Sequence, residues 1–141
     1  MIGKIKQSIN NAGELIKEQA NALGDAARQK GFAIIEDWVS ILPKMNAYGL
    51  ETTFFSVSVS LNPTLDIELS GDPEKFDKEY LETLIEETKK STPMNLVFSS
   101  IKTTQQLLQR NKLPVQRPLT VRIKVRLSPE IRVSYGIQVT E

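Results

Sequence analysis

The residue types that most often carry chemistry in proteins are missing from this chain. Its 141 residues include no Cys and no His. The chain therefore lacks the thiolate nucleophile, the usual general base near neutral pH and the commonest ligands of transition metals. We find no Gly-rich phosphate loop, nucleophile elbow or Walker-type Lys. These absences predict a protein that is not an enzyme, with no catalytic residue, no metal site and no cofactor.

A cluster of carboxylates is nevertheless present on a stretch that is predicted to be helical. The cluster consists of Glu79, Glu82, Glu86 and Glu87. Three of them share one side of a helix, a geometry that divalent cations use. Lysines alternate with them at Lys75, Lys78, Lys89 and Lys90. This mixture of charges is typical of an ordinary exposed helix, which is the interpretation we favour.

A ladder of cations marks the last predicted hairpin and is a candidate site for phosphate or anionic headgroups. It consists of Arg122, Lys124, Arg126 and Arg132. Asp66 and Glu68 occupy the corresponding face of an earlier hairpin and would neutralise much of this charge if the hairpins are neighbours. Phe54 is the nearest aromatic residue that could stack on a base. With 18 Lys and Arg against 17 Asp and Glu, the chain is not predicted to bind nucleic acid.

The N-terminal region carries the most distinctive pattern, an apolar stripe on a helix predicted over residues 2–46 with a weak point at Gly24-Asp25. Between residues 2 and 24 the stripe is narrow and contains Ile2, Ile5, Ile9, Ile16 and Leu23. Cations that would meet lipid headgroups flank it at Lys4, Lys6 and Lys17. An apolar stripe beside cations is typical of a helix that lies on a membrane or on another protein.

Three arrangements of residues 1–24 remain open. A straight helix over residues 2–46 would be longer than about 60 Å at 1.5 Å per residue, which exceeds a compact domain of this size. The first half either folds back on its own sheet, projects to bind a second copy or another protein, or lies on a membrane surface. No apolar run reaches the ~18 residues that a transmembrane helix needs.

Two stretches with alternating apolar residues predict two β-hairpins. They are SVSVSLNPTLDIELSG (56–71) and RIKVRLSPEIRVSYGI (122–137), and their apolar positions match at an offset of 66 residues (122 against 56). Period-2 alternation around Asn-Pro or Ser-Pro turns is typical of hairpins with one polar face. The same offset relates helices predicted at 74–90 and 93–111 to the N-terminal region. We predict repeat halves 8–71 and 74–137, each with the order helix-helix-strand-strand.

One such half cannot cover its own apolar hairpin face, but two together can. We therefore predict one α+β domain over residues 1–141. In it, a four-stranded antiparallel sheet made of two hairpins is covered on one face by helices.

These patterns favour a cytoplasmic module for interaction or assembly. We expect it to associate with itself or with a partner protein through the N-terminal stripe and the edges of the sheet. The alternative is a peripheral membrane- or lipid-binding protein that acts through residues 2–24 and the basic hairpin.

Overall fold

The computed structural model describes residue 26 and residues 28–138, which form two layers. One layer is a four-stranded antiparallel sheet, and helices cover one of its faces. The strands are β1 (Glu51–Ser58), β2 (Thr64–Gly71), β3 (Leu119–Val125) and β4 (Pro129–Tyr135). The helices are α1 (described over 28–39), α2 (Leu42–Tyr48), α3 (Lys78–Glu87) and α4 (Thr92–Arg110).

The predicted fold class is confirmed. The strand order is β1-β2-β3-β4, so the two hairpins join through antiparallel pairing of β2 with β3. In the centre of this pairing Ile67 lies opposite Ile123. The order of elements fits a helix-helix-strand-strand repeat loosely, and the duplication itself stays a prediction.

The hydrophobic core lies between the helices and the two central strands. Alternate residues of β2 and β3 point toward the helices and are almost completely buried. These are Leu65, Ile67, Leu69, Leu119, Val121, Ile123 and Val125. The helical layer contributes Ile35 and Trp38 from α1, Ile41 from the turn before α2, and Val97, Phe98 and Ile101 from α4. Strict alternation on β2 and β3 therefore identifies the face of the sheet that the helices cover.

The prediction of a helix that continues to residue 46 is wrong in its last part. The chain turns at Ser40 and Ile41 between α1 and α2, and Pro43 lies in the first turn of α2. A proline has no N–H to donate and disfavours helical geometry at the residue before it, so a helix tends to begin rather than continue there. Gly49, with a φ of 114°, ends α2 in the left-handed conformation that glycine adopts readily.

The start of the helix predicted over 74–90 is also wrong, because Asp72-Pro73 opens a turn and not a helix. The Asp72 carboxylate accepts a hydrogen bond from the Glu74 N–H at 3.0 Å within a turn. Helix α3 begins later, where Asp77 caps it by accepting from the Tyr80 N–H at 2.8 Å. Asp-Pro is a signal for turns as well as for helix starts, and here the second Asp provides the cap.

The apolar alternation of each hairpin continues beyond its paired strands. We expected Val59, Leu61, Leu127 and Ile137 to face inward, but they lie outside the strands and are exposed. Strand β1 ends at Ser58, and the Ser60 hydroxyl donates to the Asn62 carbonyl oxygen at 2.9 Å in the turn that follows. These side chains therefore do not belong to the buried core.

We expect Tyr135→Phe to stabilise the protein slightly, by about 0.5–1 kcal/mol. The buried hydroxyl of Tyr135 has no hydrogen-bond partner among the described residues, and burial raises the pKa of Tyr135 to about 12. A raised folded-state pKa gives stability that is complete below the unfolded value of about 10 and is lost as pH rises toward 12. Urea unfolding at pH 8 and pH 11 should therefore show that the variant loses less stability than the wild type. Equal losses in the two proteins would contradict this prediction.

Candidate functional site

The N-terminal residues that the sequence nominates lie outside the described part of the chain. They are the apolar stripe Ile2, Ile5, Ile9, Ile16 and Leu23, and the flanking cations Lys4, Lys6 and Lys17. Their predicted role as an interface or lipid-facing stripe stays a prediction.

The cation ladder lies on the face of the sheet that no described helix covers. Arg122 on β3 lies directly opposite Arg132 on β4, and Lys124 lies opposite Glu130. Arg126 follows the end of β3 and belongs to the turn between β3 and β4. The structure thus brings three of the four ladder residues together on one surface.

Acidic residues of β2 adjoin this ladder. Arg122 Nε and Nη2 donate to the two carboxylate oxygens of Asp66, each at 3.3 Å. This hydrogen bonding, followed by the attraction between the opposite charges, raises the pKa of Arg122. Asp66 lies opposite Lys124 and Glu68 lies opposite Arg122 in the register of the two strands. The charge of the ladder is therefore partly neutralised by its neighbours, as the sequence suggested.

The space between the ladder residues is small. A cavity of about 30 Å³ is lined by Arg122, Lys124, Glu130 and Arg132. We conclude that this face has the character of a charged, solvated surface rather than of a formed anion pocket.

The carboxylate cluster lies on the exposed side of α3. Glu79, Glu82, Glu86 and Glu87 line an open groove. Lys102 contacts Glu82 at 3.4 Å, and Lys89 contacts Glu86 at 3.1 Å. Across residue 26 and residues 28–138, no group of three or more Asp or Glu side chains is arranged to hold a metal ion. Lysines therefore accompany the carboxylates of α3, as on an ordinary exposed helix.

The outer edge of β1 is one of the two sheet edges, which sequence reasoning named without identifying their strands. Phe54 and Phe55 point to opposite faces of the sheet and are 47% and 49% exposed. Within β1 the single charged residue is Glu51, at its first position. A bulge between Thr52 and Phe54 interrupts the pairing with β2, after which pairing is regular to Ser58. Residues 54–58, which we call the open edge, thus offer backbone donors and acceptors beside two aromatic side chains.

The opposite edge of the sheet, formed by β4, differs from the open edge in its proline and charged residues. Strand β4 begins with Pro129 and carries Glu130 and Arg132 on its outer face. Proline and charged residues at an edge prevent unwanted strand pairing. Sheet edges that lack these residues are free to pair with another strand. The two edges of this sheet therefore have different capacities for association.

The sequence holds a partial signal for the open edge. The stretch TTFFSVS (52–58) contains no charge and no proline, which is unusual for a strand at the edge of a sheet. The strand order is needed to use this signal, because the same stretch would be unremarkable in the centre of a sheet. The sequence alone left that order open.

None of the described helices combines the length and the apolar character needed to cross a membrane. Comparisons of this chain with models of protein families, with curated proteins and with solved structures give no match.

Proposed function

We propose that this protein is a non-enzymatic, cytoplasmic assembly module that pairs with a second copy of itself through the open edge of β1. The observation that carries the proposal is the contrast between the two edges of the sheet. Residues 54–58 have no charge, no proline and two half-exposed Phe side chains, whereas β4 carries Pro129, Glu130 and Arg132. An uncharged edge strand with exposed aromatic residues favours the addition of another strand.

The pattern of residues 54–58 supports antiparallel pairing around a two-fold axis at Ser56. In that register Phe55 of one copy lies opposite Val57 of the other, on the side of the helices. Phe54 lies opposite Ser58 on the other face. On the side of the helices, apolar Phe55 and Val57 then meet across the axis, which is a pairing that stabilises antiparallel sheets. Such a contact is self-complementary, as two-fold symmetric interfaces require.

The position of Glu51 favours the antiparallel over the parallel arrangement. Glu51 is the first residue of β1. In an antiparallel pair the two Glu51 side chains lie at opposite ends of the contact. In a parallel pair they would lie side by side, and like charges opposite each other are destabilising. Two four-stranded sheets would thus form one continuous eight-stranded sheet with all helices on the same side.

The N-terminal stripe is the second part of the proposal. Its support is the sequence pattern alone, since residues 2–24 lie outside the described residues. We propose that these residues provide a further apolar contact with the second copy or with another protein. Ile9→Glu would place a charge in the middle of the stripe, and a lower association constant for this variant would support the proposal.

The proposal is tested by the solution mass of the full chain, measured by light scattering over a range of concentrations. We expect the mass to rise with concentration from one chain of 15.9 kDa toward two. A mass of one chain at every concentration up to about 1 mM, the weak end of specific association, would contradict the proposal.

A further inference from the structure

Three exposed apolar side chains lie on the turns of the two hairpins. Val59 is 74% exposed, Leu61 is 63% exposed and Leu127 is 85% exposed. Large apolar residues with this exposure on a single loop are ordinary, but a cluster on two loops indicates a contact surface. Together with Arg126, we call these residues the tip surface.

The topology of the sheet places the two turns beside each other. Strands β2 and β3 are neighbours, and Leu65 at the start of β2 lies opposite Val125 at the end of β3. The turn before β2 and the turn after β3 therefore project from the same end of the sheet. They share a groove of about 540 Å³, whose lining includes Leu61, Pro63, Arg126 and Leu127.

Helix α1 adds to this end of the molecule. Gly31 is buried against Pro63, so close that a Cβ at this position would lie 2.7 Å from the Pro63 Cγ atom. Lys30, the residue before it, is exposed. The segments 28–31, 59–64 and 126–128 contain no Asp and no Glu. Arg126 thus lies beside the apolar side chains, and Lys30 is the residue next to Gly31, with no acidic residue in these three segments.

We propose that the tip surface inserts into the interface of an anionic lipid bilayer. Val59, Leu61 and Leu127 would enter the boundary between headgroups and acyl chains, while Lys30 and Arg126 would contact the anionic headgroups. Apolar burial combined with attraction between cations and anionic lipids is how proteins attach to one surface of a membrane.

The charge of the tip surface favours a bilayer over a second copy of the chain. A two-fold contact between two tip surfaces would bring Arg126 of both copies together, and like charges across an interface are unfavourable. Pairing through β1 leaves the tip surfaces free, because antiparallel β1 strands direct their following turns to opposite ends of the dimer. Binding to lipid is therefore independent of the proposed function.

Flotation of the full chain with vesicles tests this inference. The vesicles contain phosphatidylcholine, with or without about one-third phosphatidylglycerol. We expect the wild type to bind the anionic vesicles and Leu61→Ser/Leu127→Ser to bind about tenfold more weakly, since two exposed Leu side chains lose their burial in lipid. The matched control is Ile137→Ser, which changes an apolar residue that is 80% exposed but lies outside the tip surface. This control should bind like the wild type.

Two variants separate this inference from the proposed function. Arg126→Glu should weaken binding to anionic vesicles without affecting association through β1. Phe54→Lys should weaken association while vesicle binding stays intact. Wild-type protein that does not float, or a Leu61→Ser/Leu127→Ser variant that floats as well as the wild type, would overturn the inference.

A fluorophore on the tip surface shows what covers it. The chain has no Cys, so Leu127→Cys carries an environment-sensitive dye at a unique position, with Ile137→Cys as the control. We expect the emission of the Leu127→Cys label to shift to shorter wavelength only when anionic vesicles are added. A blue-shifted emission before vesicles are added would overturn the inference. It would assign the surface to a second copy if the shift is lost on dilution, and to residues 1–25 of the same chain if it persists.

Discussion

The substitution Phe98→Ala is expected to cost about 3–5 kcal/mol of unfolding free energy. Phe98 is completely buried on α4, and its ring meets the Tyr48 ring edge to face, with centroids 5.6 Å apart and planes at 84°. The contact connects α4 with α2, so the substitution removes both buried area and an aromatic pair. Because domains of this size are stable by only about 5–15 kcal/mol, the variant should unfold at a clearly lower urea concentration.

The matched control is Leu107→Ala, on the same helix. Leu107 is 50% exposed, and removal of a solvent-facing side chain usually changes stability by less than about 0.5 kcal/mol. Urea unfolding followed by circular dichroism measures both variants. If both variants lose the same small amount of stability, Phe98 does not occupy the core position described above.

The substitution Phe54→Lys/Phe55→Lys is expected to weaken self-association about a hundredfold. The wild-type side chains are half-exposed on the two faces of the open edge and would gain burial on pairing with a second β1. The lysines remove this gain and add positive charges to both partners, and lysine is the residue that natural sheets use to keep their edges unpaired. A hundredfold change corresponds to about 2.7 kcal/mol. Sedimentation of dilution series gives the dissociation constants of the wild type and of the double variant.

Leu107→Lys is the control, because it adds the same charge at an apolar residue that lies outside the sheet. Leu107 is about as exposed as Phe54 and Phe55. Phe54→Lys alone provides a milder change, because Phe54 points away from the helices and its loss leaves the core intact. An association constant that is equal in the wild type and in both β1 variants would place the interface elsewhere on the molecule.

Sequence periodicity predicted the central strands well, because two neighbours hold each of them in place. The apolar residues of β2 and β3 alternate strictly, and each inward residue is buried as expected. The edge strand β1 shows the same alternation, yet Phe55 remains half-exposed and Val57 only partly buried. Periodicity indicates which face a residue takes, but burial depends on whether a helix reaches that part of the sheet.

The breaks in the helices were less predictable, because local signals compete. The N-terminal helix breaks before Pro43 into α1 and α2. The apolar stripe nevertheless continues across the break through Trp38, Ile41 and Met45. The stripe is preserved because α1 and α2 both pack on the same core. Asp72-Pro73 resembles a helix start but forms a turn, and Asp77 five residues later is the cap.

The candidate surfaces depend on contacts between residues far apart in the sequence. The open edge became apparent only from the strand order, and the tip surface only from the pairing of β2 with β3, which joins residues 59–61 with 126–127. The cation ladder was visible in the sequence, and the acidic residues beside it were as well. The contacts between these charged residues, such as that of Arg122 with Asp66, could be identified only once the register of the sheet was known.

The central claim, that two copies pair through β1 around Ser56, is tested most directly by a disulfide. Ser56→Cys introduces the only thiol of the chain. In the proposed pairing the two Cα atoms at position 56 lie about 4.5–5.5 Å apart, within the range that a disulfide spans. Ile137→Cys, at a position that is also exposed and lies outside β1, measures random cross-linking. Under mild oxidation we expect nearly complete covalent dimer for Ser56→Cys and little for Ile137→Cys. Equal cross-linking of the two variants would contradict the claim.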